Sequence, residues 1–354
     1  MNVALGPHDA ERDAAAHRTL FELSFPETVG EPAGTDRHYR WKFRGFPAAP
    51  PAYEWAARDD DGKLLGYYAA LPYRYRVAGR EVAVGMACDV MTHPDARGQG
   101  IFTKMGRYAT DDLRAQGFGF TTGYPIRPEV IPGHLKAGWR KVVQLPMYLR
   151  PVSARGKLPG AAAALAPAID AALGLGHALV ERLGTDAGYR VAASGVEELL
   201  AQPDYAPFLA RAQRPTTNVL VRSPEFMRWR LSAPGTSYTV FQALRGTRLG
   251  AYAVTREVEL RGIATVAILD LVADDRTALR PLHRAILAHA RASGANAIVA
   301  MASRRAAARL GFGLRFVPTP YVFTLIVKRL DDRLPAAIDD ANAWEPMWID
   351  SDDL

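Results

Sequence analysis

The sequence predicts a mixed α/β protein in which an antiparallel meander is followed by helix, strand, helix and strand, twice over. Three observations carry that expectation. Alternating apolar segments bounded by glycine turns mark the meanders, a helix-period segment follows each of them, and the order of signals recurs when the chain is slid against itself. The length of 354 residues agrees, because one domain usually runs to about 100–200 residues and this chain is long enough to bury two cores.

In the first copy the segment RHYRWKFRGFP precedes a strand over Tyr53 to Ala57, an Asp-Asp-Asp-Gly turn ending at Gly62, and a strand over Lys63 to Ala70. A second hairpin is expected over Tyr73 to Val77 and Arg80 to Val90, turning at Ala78-Gly79. A helix from Gly100 to Gln116 and a strand from Gly119 to Thr122 follow. In the second copy EFMRWRLSAPG precedes strands over Tyr238 to Leu244, Leu249 to Thr255, Glu257 to Arg261 and Ile263 to Leu271, then a helix from about Thr277 to Ser293 and a strand over Ala297 to Met301. Trp41 corresponds to Trp229 and Asp89 to Asp270, and a glycine-aromatic pair closes each copy, Gly138-Trp139 and Gly311-Phe312. The expected division is a catalytic domain over residues 1–150, an alanine-rich helical linker over 151–190, and a second domain with an acidic tail over 191–354.

Composition narrows the chemistry. The net charge of +7 comes from 44 basic and 37 acidic side chains with no lysine or arginine block. The small excess fits a polyanionic cofactor as well as nucleic acid, and with no concentrated basic patch nucleic acid is not the expected partner. Cys88 is the single cysteine, which excludes an internal disulfide and a cysteine-rich zinc site; no metal is expected. The first residues show no apolar run after a basic end, so a signal peptide or anchor is not expected and the cytoplasm is the expected compartment. The run from Leu158 to Leu183 is apolar enough to imitate a membrane span, but Pro167, Asp170 and His177 interrupt it, so a soluble linking helix and no membrane partner are expected. The tail DDANAWEPMWIDSDDL is expected to pack back through Trp344 and Trp348, with its acidity available to a cationic acceptor.

The segment that carries chemistry is CDVMTHPDARGQGIFTKM, Cys88 to Met105. A strand ends, Pro94 stops it, and a loop with Gly98 and Gly100 opens a helix whose Ile101, Met105, Ala109 and Leu113 lie four apart on one face. The glycines let an anion approach the unpaired N–H groups of the first turn, where the helix dipole adds positive partial charge. Neither the dinucleotide pattern G-x-G-x-x-G nor the P-loop pattern is present.

Thr92 to Phe102 resembles the GNAT superfamily of N-acyltransferases, whose pattern V-x-P-x-x-[RQ]-G-x-G-[ILV]-[GA] lies between the fourth strand and the next helix. Thr92 stands for the usual valine, and Phe102 for a small residue at the pyrophosphate end. The resemblance spans most of residues 35 to 150 and, in weaker form, 220 to 330. It implies that acetyl-CoA or another acyl-CoA lies between two splayed strands. Val90, Met91 and Thr92 would then offer backbone hydrogen bonds to the pantetheine arm and thioester, and Arg97, Gly98, Gln99, Gly100, Ile101, Phe102 and Thr103 would hold the pyrophosphate. Direct attack by the primary amine of a small molecule is implied, with fixed N–H groups stabilising the oxyanion.

His134 stands where many members carry the tyrosine that protonates the departing thiolate, and as an imidazolium it would be a competent acid. It reads equally as a packing residue. Tyr124 is a second phenol within the expected cleft. Asp89 shares a strand face with Ala83, Gly85 and Ala87 and is the candidate base or amine anchor, with Glu129 as an alternative; a structural role for Asp89 weighs as much, since Asp270 matches it. Cys88 reads as a core residue. The second copy has VADDRTALRPLHRAIL in place of the loop, without glycine, and is expected not to bind CoA. Two other readings remain open at this stage: an aminoacyl-tRNA or acyl-carrier-protein donor, and a non-catalytic CoA-sensing module. The acceptor, acyl length and oligomeric state are not encoded in any motif.

Overall fold

The computed structural model describes residues 3–157, 160–182, 186–214 and 216–352. Strand β1 (Ala4–Pro7) and helices α1 (Ala14–Ser24) and α2 (Asp36–Arg44) precede the first meander, β2 (Tyr53–Arg58), β3 (Leu64–Val77) and β4 (Arg80–Thr92). Helix α3 (Ile101–Ala115), strand β5 (Phe120–Gly123), helix α4 (Ile131–Lys136) and strand β6 (Arg140–Pro151) follow. After helix α5 (Ala166–Arg182) come β7 (Arg190–Ser194), α6 (Val196–Leu200), α7 (Tyr205–Ala212), β8 (Asn218–Leu220) and α8 (Pro224–Arg230). The second meander is β9 (Tyr238–Arg245), β10 (Arg248–Leu260) and β11 (Ile263–Ala273), and the chain ends with α9 (Leu279–Ala292), β12 (Ala297–Met301), α10 (Arg304–Arg309) and β13 (Val317–Arg329).

The chain forms two compact units that are interleaved in sequence. Unit 1 comprises Met1–Val143, Thr217–Gly235 and Thr324–Ala343, and unit 2 comprises Gln144–Thr216, Thr236–Phe323 and Trp344–Leu354. In unit 1 the strand order is β1-β2-β3-β4-β5-β13, antiparallel except for β4 and β5, with β8 paired to the end of β3. In unit 2 the order is β6-β12-β11-β10-β9-β7, with β11 and β12 parallel. Each unit therefore takes strands from the other half of the sequence: Ile326 to Arg329 pair with β5 and Asn218 to Leu220 with β3, while Met147 to Pro151 pair with β12. The expected cuts at residues 150 and 190 cross these units. Loop closure grows only slowly more costly with length, so a strand can join a distant sheet edge if its pattern fits there.

The core of unit 1 follows from α3. Its Ile101, Met105, Ala109 and Leu113 pack with Leu65, Tyr68, Ala70 and Ala87 of the sheet and with Trp139, Ile326 and Leu330. The expected break between Ala70 and Tyr73 is absent, and β3 is continuous through Pro72. The proline falls where β3 has no outer neighbour, between the end of the β2 pairing at Ala70 and the start of the β8 pairing at Tyr75. The two strands expected over Leu249 to Arg261 are likewise the single strand β10.

The tail packs as expected: Trp344 and Trp348 are both buried in unit 2. Its acidity has internal partners, however. Glu345 is paired with Arg305 and Arg309, and Asp350 accepts a hydrogen bond from the Met347 N–H, so this part of the tail does not serve a cationic acceptor. The alanine-rich run is helical in its described part, with Leu158, Pro159 and Leu183 outside the described residues. It is tied into unit 2, because Asp170 accepts from Ser153 Oγ and Ala154 N, and Glu181 pairs with Arg150 and Arg315.

Candidate active site

The site begins with a bulge in β4. Tyr67 pairs with Met91 and Ala69 with Cys88, so Asp89 and Val90 together oppose Tyr68, and Asp89 adopts the left-handed conformation with φ +46°. The extra residue shifts the strand's alternation. Asp89 was expected beside Ala83 and Ala87; instead Val90 joins those two against the α3 core, and the Asp89 carboxylate meets Lys42 of α2 at 2.8 Å. Both ends of this ion pair are largely enclosed.

The same strand forks away from β5. The parallel pairing runs from Val84–Phe120 to Ala87–Gly123 and stops there, which leaves the β5-facing edge of Asp89 to Thr92 without a strand partner among the described residues. Three buried polar atoms of these elements and their surroundings, Thr92 Oγ1, Thr122 Oγ1 and Trp139 Nε1, make no protein hydrogen bond. A polar ligand with amide groups fits such an edge, since unmet buried hydrogen-bonding groups are costly.

Beyond the fork the chain makes a short turn over Pro94–Ala96, capped by His93, and the Arg97 Nε donates to the Thr92 carbonyl at 3.4 Å. Arg97 therefore ties the loop to the strand end, and the Thr92 carbonyl has an internal donor. Gly98 and Gly100 have φ +77° and +76° with open space where a Cβ would stand, and Gly100 caps α3 without any side-chain hydrogen bond. The first turn of a 15-residue helix thus offers its N–H groups and dipole to solvent. The side chain of Ile101 is buried in the core, so this position presents its backbone. Phe102 does not crowd the loop. Its ring packs against Gly133 and lies edge-on to His134 at 4.8 Å, on α4.

The expected acid fares differently. His134 is buried between Phe102 and Trp139, and burial lowers its pKa to about 4. At neutral pH it is an uncharged imidazole, which corrects the expectation of an imidazolium. Tyr124 follows β5 directly and is buried, whereas Glu129 is exposed. Cys88 is buried, as a core residue should be.

A polar cluster that sequence reasoning missed is held by α1, α2, β2 and β3. Glu54 accepts hydrogen bonds from Tyr39 Oη and Tyr67 Oη, both at 2.7 Å, and from Arg44. Burial pushes its carboxyl up, but the hydrogen bonds from Arg44, Tyr39 and Tyr67 outweigh this and leave it below the ordinary value. His17 of α1 packs edge-on to Tyr67 at 4.4 Å, and burial first, then His8, lowers its pKa to about 4. No spacing could have announced this cluster, because its members come from separate elements.

In unit 2 the corresponding turn is filled by its own residues. Asp275 accepts from Thr277 N and Oγ1, Ala278 precedes α9, and Pro281 is buried in the first turn. Asp270 is fully buried and accepts from Tyr252 Oη at 2.7 Å.

A family model described as an acetyltransferase (GNAT) domain matches residues 11–141. Residues 11–141 are a GNAT domain. The match starts well before residue 35, so the GNAT domain includes α1 and the His17 side of the cluster. Among solved structures, a GCN5-related N-acetyltransferase from Anabaena variabilis ATCC 29413 aligns with TM-score 0.67 at 12% identity, over 93% of this chain and 73% of that one. One from Kribbella flavida aligns with TM-score 0.61 at 16% identity, over 95% and 73%. Saccharomyces cerevisiae N-myristoyltransferase with bound myristoyl-CoA aligns with TM-score 0.60 at 10% identity, over 92% and 79%. These likenesses establish the fold. No protein of curated function matches the sequence.

Proposed function

We propose that unit 1 transfers an acyl group from acyl-CoA, with acetyl-CoA the expected donor, to a primary amine of a small molecule. The observation that carries this reading is the strand fork at Asp89–Thr92 leading into a helix start that no side chain caps. The edge of Val90, Met91 and Thr92 would align the pantetheine and thioester. The N–H groups from Gly98 to Thr103 would hold the pyrophosphate.

Amine attack forms the C–N bond as the C–S bond breaks. The amine loses a proton and the leaving thiolate gains one. Asp89 fits an anchor for the incoming ammonium better than a base, because Lys42 already holds its charge. His134 does not fit the donor role at neutral pH, which leaves Tyr124 as the ionisable group nearest the end of β5 among those expected to act. Unit 2 reads as a copy of the same architecture without a cofactor loop.

Calorimetry with acetyl-CoA tests the donor, and thiol release over a panel of amines and acyl chain lengths tests turnover. Binding by the wild type and its loss in Gly100→Glu, with the fold retained, is the expected result. Absence of binding by the folded wild type would reject the proposal. Binding without turnover would favour a sensing role, and turnover with long acyl chains alone would replace acetyl-CoA as donor.

A further inference from the structure

Helix α5 is built the wrong way round for a helix in water. Its polar side chains Asp170, His177 and Glu181 recur at helical spacing on the face turned toward unit 2. There Asp170 meets Ser153 and Ala154, His177 lies 2.9 Å from Arg291, and Glu181 pairs with Arg150. The opposite face is apolar: Ile169 is 37% exposed, Leu175 70% and Leu179 64%, with Ala168 and Ala172 exposed between them, and Leu165, in the 3-10 turn just before the helix, is 58% exposed. No charged side chain lies among the exposed residues from 163 to 179. The stretch Ala162–Arg182 has a mean hydropathy of 1.5 over 18 residues, of which 6% is buried. Contiguous exposed apolar surface of this kind marks a site that something covers.

We propose that this face of α5 docks on the surface of an anionic lipid bilayer, with the helix axis lying in the membrane plane. Charge decides the occupant. Arg155 and Lys157 precede the helix and Arg182 ends it, all exposed; Arg155 lies 3.5 Å from the mostly enclosed Asp170 carboxylate and Lys157 donates to the Gly262 carbonyl, yet both side chains stay at the surface. Cations at both ends of an apolar face match a surface of anionic headgroups over acyl chains. A second copy of this chain fits less well, because antiparallel pairing would set Arg155 and Lys157 against the other copy's Arg182, and parallel pairing would set like ends together. A spanning helix is excluded by the hydrogen bonds that hold Asp170 and Glu181 to unit 2. The expectation of no membrane partner rested on those interrupting polar residues, and the structure turns them away from the exposed face.

Flotation of the full chain with vesicles tests the proposal. The protein should float with phosphatidylcholine–phosphatidylglycerol vesicles and bind pure phosphatidylcholine vesicles about tenfold less, since each cation near an anionic surface adds to the attraction. The double variant Leu175→Glu/Leu179→Glu should lose binding with an unchanged circular dichroism spectrum and melting midpoint, because both side chains project into solvent. Wild-type protein that stays in the soluble fraction with both vesicles overturns the proposal. So does a lipid-free dimer that the double variant splits, which would assign the face to a second copy.

Discussion

The indoles of Trp41 and Trp229 stack with centroids 5.0 Å apart and planes 9° from parallel, and each donates its N–H to the backbone carbonyl of the other, at 2.8 and 3.0 Å. Trp41 lies on α2 and Trp229 on α8, the helices that precede the two meanders, and both belong to unit 1. The reciprocal pair therefore locks α2 to α8 within unit 1. Trp229→Ala, at the buried ring of the pair, should lower stability by about 3–5 kcal/mol in urea unfolding, as large aromatic truncations in cores do, and Trp41→Ala, at the half-buried ring, by less. A double-mutant cycle of Trp41→Ala and Trp229→Ala should show a coupling of about 0.5–1.5 kcal/mol. Additive losses would mean that each ring packs independently.

The Lys42–Asp89 pair sits at the bulge of β4, just beyond the end of its pairing with β5. Removing one partner strands the other charge in a largely enclosed site, so Lys42→Met should destabilise by about 3–5 kcal/mol. Lys42→Met/Asp89→Asn should recover much of that loss, since asparagine tolerates left-handed backbone and carries no charge. Urea melts of the three proteins check the stability. If Asp89 were the base, Asp89→Asn would lower kcat by about 10²–10⁴. An anchor predicts a rise in KM for the amine instead.

His134 packs between two aromatic rings rather than facing a proton. His134→Phe should therefore keep kcat within about threefold at neutral pH, far from the loss that removing a general acid brings. His134→Ala should instead leave a void and lower stability by about 2–5 kcal/mol. A bell-shaped rate profile whose acidic limb disappears in His134→Phe would restore the catalytic role.

The limits of sequence reading follow from the same residues. The glycine loop was legible because Gly98 and Gly100 lie two residues apart in sequence and their left-handed backbone is a local demand. The place of Asp89 was not, because a bulge changes strand phase by one residue and period-2 alternation cannot foresee it. The strand order within each half was legible from turns and periods. The strands that change units were not, since β6 and β13 carry no mark of which sheet edge they complete. The Glu54 cluster and the inverted α5 are tertiary facts: the first gathers residues from distant segments, and the second depends on which face of an apolar helix meets protein.

Buried histidines set the acid limit of stability. Burial lowers the pKa of His17, His134 and His283 from 6.5 to about 4; for His283 it outweighs the contrary effect of the Leu310 carbonyl. The folded pKa lies below the unfolded one, so between these values the unfolded chain binds more protons. Stability must therefore rise with pH through this window and fall as acid is added, by up to ~1.4 kcal/mol per pH unit for each histidine. Glu54 and Asp13, whose pKa values are lowered in the fold, add their own losses only at more acidic pH, as their carboxylates protonate. Urea midpoints measured between about pH 7 and 5 should fall steadily toward acid, and His17→Phe or His134→Phe should each flatten the slope by close to one proton. A slope unchanged by either substitution would mean that these rings already carry their charge in the folded protein, against their burial.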